Sequence, residues 1–171
     1  MFAATFLAPL SLSHADQTSQ KDALEAAISY NLARFTQSTD KLDELGHSPM
    51  VFCILNTNVL AINLRKMTAQ QRENKSINLH EVADPNDLYG NCDITYLSTS
   101  DLSLVSLDKL TQSGSLTISD SADFLDAGGS IYLQQRGGKI AFSVNTSALK
   151  RAGKTLSSRV LQLAYEVRSP E

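Results

Sequence analysis

The sequence predicts an α/β fold: a single three-layer domain with a mainly parallel central sheet, an antiparallel hairpin edge and helices on both faces. Short apolar runs alternate with segments of helical periodicity along most of the chain, and repeated β–α alternation builds parallel sheets. Two later apolar strands flank a Gly-Gly pair, which is typical of a hairpin. The 171 residues contain no internal repeat or linker-like segment and suit one domain.

The first half of the chain predicts one long helix followed by alternating strands and short helices. In Asp22–Phe35 the apolar residues fall on one helical face, whereas Gln37–Ser48 is polar and predicts a loop. Asp84 precedes Pro85 as an N-cap precedes the first helical position. The other predicted elements are strands Met50–Leu55, Ile77–Val82 and Asp93–Leu97, helices Val59–Met67 and Leu102–Leu110, and a charged loop Arg72–Lys75.

The second half predicts the remaining strands, the hairpin and two capped helices. Gly137 and Gly138 tolerate the positive φ angles of a tight turn, and Asn145 and Ser157 are typical N-cap residues. The predicted elements are strand Leu116–Ile118, a helical turn Ser121–Leu125, strands Ile131–Leu133 and Ile140–Val144, a helix from Asn145 to Gly153 and a helix from Ser157 to Ala164.

The first fifteen residues predict a signal peptide, with the mature domain covering residues 16–171. The segment has no charged side chain, is apolar in its centre and ends in Ser13-His14-Ala15, which is typical of a cleavage site. The basic region that normally begins such a leader is missing, which leaves open a truncated start. The alternative is a short buried helix. No later run has the roughly 18–20 apolar residues of a membrane span.

The charge of the chain argues against nucleic-acid binding. The formal net charge is −3 and the pI is about 5.6, so the surface lacks the broad positive field that attracts nucleic acid or anionic lipid.

Two cysteines, Cys53 and Cys92, lie in or beside predicted strands. In an exported chain an even number of cysteines indicates a disulfide, whereas two buried free thiols are the alternative in a reducing compartment. Neither belongs to a CxxC pair, which argues against redox catalysis.

The remaining motifs predict neither catalysis, nor a metal, nor another cofactor. His47 and His80 lack metal-ligand spacing, and no serine has the sequence context of an activated nucleophile. A small-ligand sensor is the alternative to a protein-binding role. Asn56, Ser98 and Ser119 each end a predicted strand, and the carboxyl ends of parallel strands are the usual ligand position in such sheets.

Several segments together resemble the YfiR-like family (DUF4154), over about residues 20–167. They are Tyr30–Phe35 in the first helix, Phe124 before Gly128-Gly129, the hairpin, and the helix Ser157–Ala164. Members of this family are periplasmic bacterial proteins, and the resemblance implies repression of a membrane-bound diguanylate cyclase through its periplasmic domain, or an action on another membrane receptor.

The resemblance also implies a disulfide between Cys53 and Cys92, since family members have one that joins corresponding strands. Exposed positions of the matching motifs are the predicted partner-binding residues: Asn31, Arg34, Tyr132 and Arg159. A homodimer is left open.

Overall fold

A computed structural model describes residues 14–39, 49–70 and 77–169. Most of the predicted leader, residues 40–48 of the predicted loop Gln37–Ser48 (His47 among them) and the predicted loop Arg72–Lys75 lie outside the described residues.

The described residues form strands and helices in nearly the predicted alternation. The strands are β1 Thr36–Ser38, β2 Met50–Leu55, β3 Ile77–Val82, β4 Ile94–Leu97, β5 Leu116–Ser119, β6 Ile131–Arg136, β7 Lys139–Asn145, β8 Lys154–Leu156 and β9 Glu166–Arg168. The helices are α1 His14–Phe35, α2 Val59–Ala69, α3 Leu107–Gln112, α4 Thr146–Arg151 and α5 Ser158–Leu161, with 3₁₀ turns at Pro85–Leu88 and Asp101–Ser103.

The central sheet confirms the predicted fold class. Within the described part of the chain it has seven strands in the order β3-β2-β4-β5-β6-β7-β9. The pairs from β3 to β6 are parallel, and β6 and β7 form the antiparallel hairpin. Strand β9 extends the sheet beyond the hairpin by pairing parallel to β7, and β1 pairs antiparallel to β8 in a separate ribbon. Strands β1, β8 and β9 were not predicted from the sequence.

Each face of the sheet is covered by its own apolar core. Successive side chains of a strand point to opposite faces, so Phe52 and Ile54 of β2 join the core beneath α1 and α2. Cys53 and Leu55 point the other way and pack with residues of α3 and of the turns, among them Phe124. Fully burying one such large side chain stabilises the fold by about 1.5–3 kcal/mol.

The Phe124…Gly129 motif has a steric explanation. A Cβ atom on Gly129 would lie 2.3 Å from the Phe124 ring, and Phe124 is completely buried. Only glycine therefore lets the backbone pass this closely over the ring.

Three predicted helices differ in extent from the structure. Helix α1 begins at His14 instead of Asp22. The helix predicted over Leu102–Leu110 is interrupted, because Ser106 is extended and its side chain caps α3 by accepting from the backbone of Lys109. Helix α5 ends at Leu161. The segment predicted as a helical turn at residues 121–125 consists of hydrogen-bonded turns.

No helix among the described residues is long and apolar enough to cross a membrane.

Candidate functional site

Cys53 and Cys92 form the disulfide that the family resemblance implies. Cys53 lies in β2, and Cys92 lies just before β4, the neighbouring parallel strand. Their Cα atoms are 5.8 Å apart, and both side chains are buried in the core beside α3. The bridge therefore ties β2 to the segment that precedes β4.

The four predicted partner-binding residues lie on three different elements. Asn31 and Arg34 are exposed on α1, where the Asn31 amide donates to the carbonyl of Ala27 and the Arg34 guanidinium lies 5.9 Å from the centroid of the Tyr30 ring. Tyr132 is half-buried in β6, and Arg159 is exposed on α5. The hydrogen bond of Asn31 to its own helix gives that residue a local role, independent of any partner.

The three predicted ligand-binding residues lie at the carboxyl ends of adjacent strands. β3 lies on one side of β2 and β4 on the other, so Asn56 and Ser98 flank the point where the strand order reverses. Asn56 has a φ of 60°, and the Ser98 hydroxyl donates to Asp101 at 2.6 Å. Ser119 is fully buried and accepts from the backbone of Ser121. Of the three predicted ligand-binding residues, Asn56 and Ser98 are thus the two that flank this point.

A buried polar network, which the sequence analysis did not identify, connects α1 to the same edge of the sheet. Lys21 lies 2.8 Å from Asp120 and 3.1 Å from Glu25, and the Tyr96 hydroxyl donates to the other oxygen of Glu25 at 3.3 Å. Glu25 is only 1% exposed. Its burial raises the pKa of the carboxyl group, against the opposing effect of Lys21. Burial and the nearby carboxylates likewise raise the pKa of Tyr96.

A cleft opens at the opposite edge, near the amino ends of β2 and β4. Its volume is about 320 Å³, and Lys154 and Asp93 lie among its lining residues. Lys154 is 4% exposed, and its ammonium group donates to Asp93 at 2.8 Å and to Ser38 at 2.9 Å. This cluster could not be predicted from the sequence, because lysine is seldom buried.

Three large apolar side chains near the C-terminal end are exposed to solvent. Leu163 is 77% exposed, Tyr165 56% and Val167 45%; we call these three residues the C-terminal apolar strip. The Arg136 guanidinium stacks over the Tyr165 ring at 4.0 Å, and Val167 belongs to the edge strand β9. A contiguous patch of exposed apolar side chains marks an interaction surface, and these three are alternate residues of one short segment.

The described residues contain no group of three or more His, Cys, Asp or Glu side chains that could hold a metal ion. His80 is exposed on β3.

Comparisons with known proteins identify a family and a shared fold. A family model described as YfiR/HmsC-like matches residues 22–165, and a search of curated proteins found no match. A solved structure of a conserved domain protein from Vibrio cholerae O1 biovar El Tor superposes with a TM-score of 0.53 at 9% identity, covering 86% of this chain. This chain spans 60% of that protein, and at such low identity the likeness shows the fold alone.

A second solved structure is described as the ABC domain in complex with L-Trp from Streptococcus pneumonia. Its TM-score is 0.47 at 10% identity, with 70% of this chain and 55% of that chain covered. This lower similarity carries no argument about the present chain.

Proposed function

The chain belongs to the YfiR/HmsC-like family, and from this premise we propose that it is a periplasmic regulatory protein that represses a membrane-bound diguanylate cyclase. It binds the periplasmic sensor region of the cyclase and thereby lowers cyclic di-GMP and biofilm formation. The observation that carries the proposal is the family match over residues 22–165, which begins within α1 and ends just before β9.

Repression by binding is a shift between two states of the receptor. The protein represses if it binds the inactive conformation of the receptor more tightly than the active one. Moving that equilibrium from 1:99 to 99:1 requires about 5.5 kcal/mol of difference in binding free energy between the two states. The interface must therefore bury side chains that contribute several kcal/mol.

The C-terminal apolar strip is the surface best suited to this task. Burying a large apolar side chain contributes about 1.5–3 kcal/mol, and Leu163 and Tyr165 are more than half exposed. Arg159 lies in the same C-terminal segment, on α5. Interfaces commonly combine such apolar and aromatic anchors with arginine. We therefore place the centre of the receptor interface at the strip and assign Arg159 to its rim.

Asn31, Arg34 and Tyr132 remain predicted contributors to a second part of the interface. Arg34 is followed by Phe35, whose side chain is 51% exposed at the end of α1. Phe35 is thus an exposed aromatic side chain, and aromatic residues are enriched in protein interfaces.

A binding measurement with one matched pair of variants tests the proposed interface. Leu163→Asp introduces a charge into the C-terminal apolar strip, whereas Leu104→Asp places the same charge at a 56% exposed leucine outside it. Isothermal titration against the purified periplasmic domain of the partner diguanylate cyclase should show at least tenfold weaker binding for Leu163→Asp and no change for Leu104→Asp. Equal affinities for the two variants would remove the strip from the interface.

A small-ligand sensor that acts with another receptor is the second candidate function. The observation in its favour is the position of Asn56 and Ser98 at the reversal of strand order, where ligands bind in open α/β sheets. Screening small metabolites by thermal shift tests it. A stabilising ligand whose effect is lost in Ser98→Ala would support this candidate, and no stabilisation by any metabolite would argue against it.

A further inference from the structure

The cleft at the amino ends of β2 and β4 has no part in the proposed receptor interface. Most of its lining residues are small or polar, and its volume of about 320 Å³ lies at the lower end of the range for ligand pockets. The residues that matter for its chemistry are Ser38, Gly90, Asp93, Gly114, Gly153 and Lys154.

Glycines keep the cleft open. Gly90, Gly114 and Gly153 all line it, and their φ angles are 79°, 91° and 60°. Residues with side chains rarely adopt this left-handed conformation. A Cβ atom placed on Gly90 would meet no atom of the described residues within 4 Å, so they leave room beside this glycine.

The buried end of the cleft presents two hydrogen-bond donors. The ammonium group of Lys154 has three protons, of which Asp93 and Ser38 accept one each. The third has no acceptor among the residues that the structure describes. The Ser38 hydroxyl accepts from Lys154 and keeps its own proton available, so two donors lie 2.9 Å apart.

Asp93 is held in place by the sheet. Its Oδ2 atom accepts from the backbone N–H of Val51 at 3.0 Å, while Oδ1 accepts from Lys154. Asp93 itself carries a negative charge, so at this site a ligand with a single negative charge is repelled less than a polyanion is.

We propose that this cleft binds the carboxylate group of a small monocarboxylate. One carboxylate oxygen accepts from Lys154 and the other from Ser38, which is a charge-assisted pair of hydrogen bonds. The remainder of the ligand lies along the glycine-lined wall of the cleft. The limited volume of the cleft restricts this part of the ligand to a short substituent. The site goes beyond the proposed function, because it does not depend on any receptor.

Nuclear magnetic resonance with a simple probe tests the site on the intact protein. Propionate is titrated into the ¹⁵N-labelled chain, and the amide signals of Gly90, Gly114 and Gly153 are followed. The expected result is a saturable shift of these signals with propionate and none with propionamide, which has the same shape without the charge.

Three variants separate ligand binding from a purely structural role of the cluster. Ser38→Ala and Lys154→Met should each weaken propionate binding at least tenfold, while Lys150→Met, which removes an exposed charge from α4, should leave it unchanged. If Lys154→Met fails to fold, propionate binding by Ser38→Ala is the deciding measurement, since this variant removes only one hydroxyl group. Absence of a saturable shift in the wild type, or equal binding by Ser38→Ala, would overturn the proposal.

Discussion

Replacing Cys53 and Cys92 together with alanine should lower the free energy of unfolding by about 5 kcal/mol in all. The bridge joins residues 39 apart in sequence, and on the chain-entropy account closing a loop of this size in the unfolded state stabilises the fold by about 4 kcal/mol. Both cysteines are buried, at 0% and 5% exposure. The space left by the two sulfur atoms adds a cavity penalty of about 1 kcal/mol.

Thermal unfolding measures this loss directly. A protein of this size loses about 2–4 °C in Tm per kcal/mol, so the double variant should melt roughly 10–20 °C below the wild type on the same scale. Wild-type protein that has been reduced in denaturant and refolded should show most of the same loss, whereas reduction should not affect the double variant. An unchanged Tm for both the variant and the reduced protein would refute the reasoning.

The other predictions concern packing, titration and export. Gly129→Ala should lose about 1–3 kcal/mol of stability by overpacking against Phe124, and more than Gly138→Ala, where only backbone strain is added; urea unfolding that ranks them in reverse would contradict this. Burial raises the folded-state pKa of Glu25 above 4.5. The protonated carboxyl group therefore stabilises the fold at pH values below the unfolded-state pKa, and this stabilisation is lost as the pH rises through the folded-state pKa. The stability of wild type relative to Glu25→Gln should therefore increase as the pH falls from 7 towards 4.5. If the stabilities of the two proteins changed with pH in parallel, this carboxyl group would not be the cause of the pH dependence. N-terminal sequencing of the periplasmic fraction should give a chain that starts near Asp16, and an intact cytosolic chain would remove the basis for export.

The sequence predicts the parallel strands because their signal is local. The run Met50–Leu55 is continuously apolar, as expected for a strand covered on both faces, and it is β2 at those bounds. The caps are local too: Asp84, Asn145 and Ser157 each accept from the backbone two or three residues onward, as their residue types predict.

The short strands could not be predicted, because their cause is tertiary. Thr36–Ser38 and Lys154–Leu156 are three residues each and mostly polar, so neither has a recognisable period. They are strands because the fold brings them together, far apart in sequence. The same holds for β9, whose partner β7 supplies its hydrogen bonds.

Both buried polar clusters escaped the sequence analysis for a related reason. Glu25 reads as a favourable charge near the start of a helix, and Lys154 reads as a surface residue. Each is buried because a partner from a distant segment, Tyr96 or Asp93, neutralises or hydrogen-bonds it. The spacing of residues along one segment does not predict such contacts between distant segments.

The regulatory proposal is tested most directly by the intracellular level of cyclic di-GMP in a strain that lacks this chain. The account predicts that deletion raises cyclic di-GMP, and that a second deletion, of the diguanylate cyclase encoded nearby, returns it to the parental level. Restoring the wild-type chain should lower the level again. Cyclic di-GMP that stays unchanged after deletion, in cells where the chain is expressed and exported, would contradict the account.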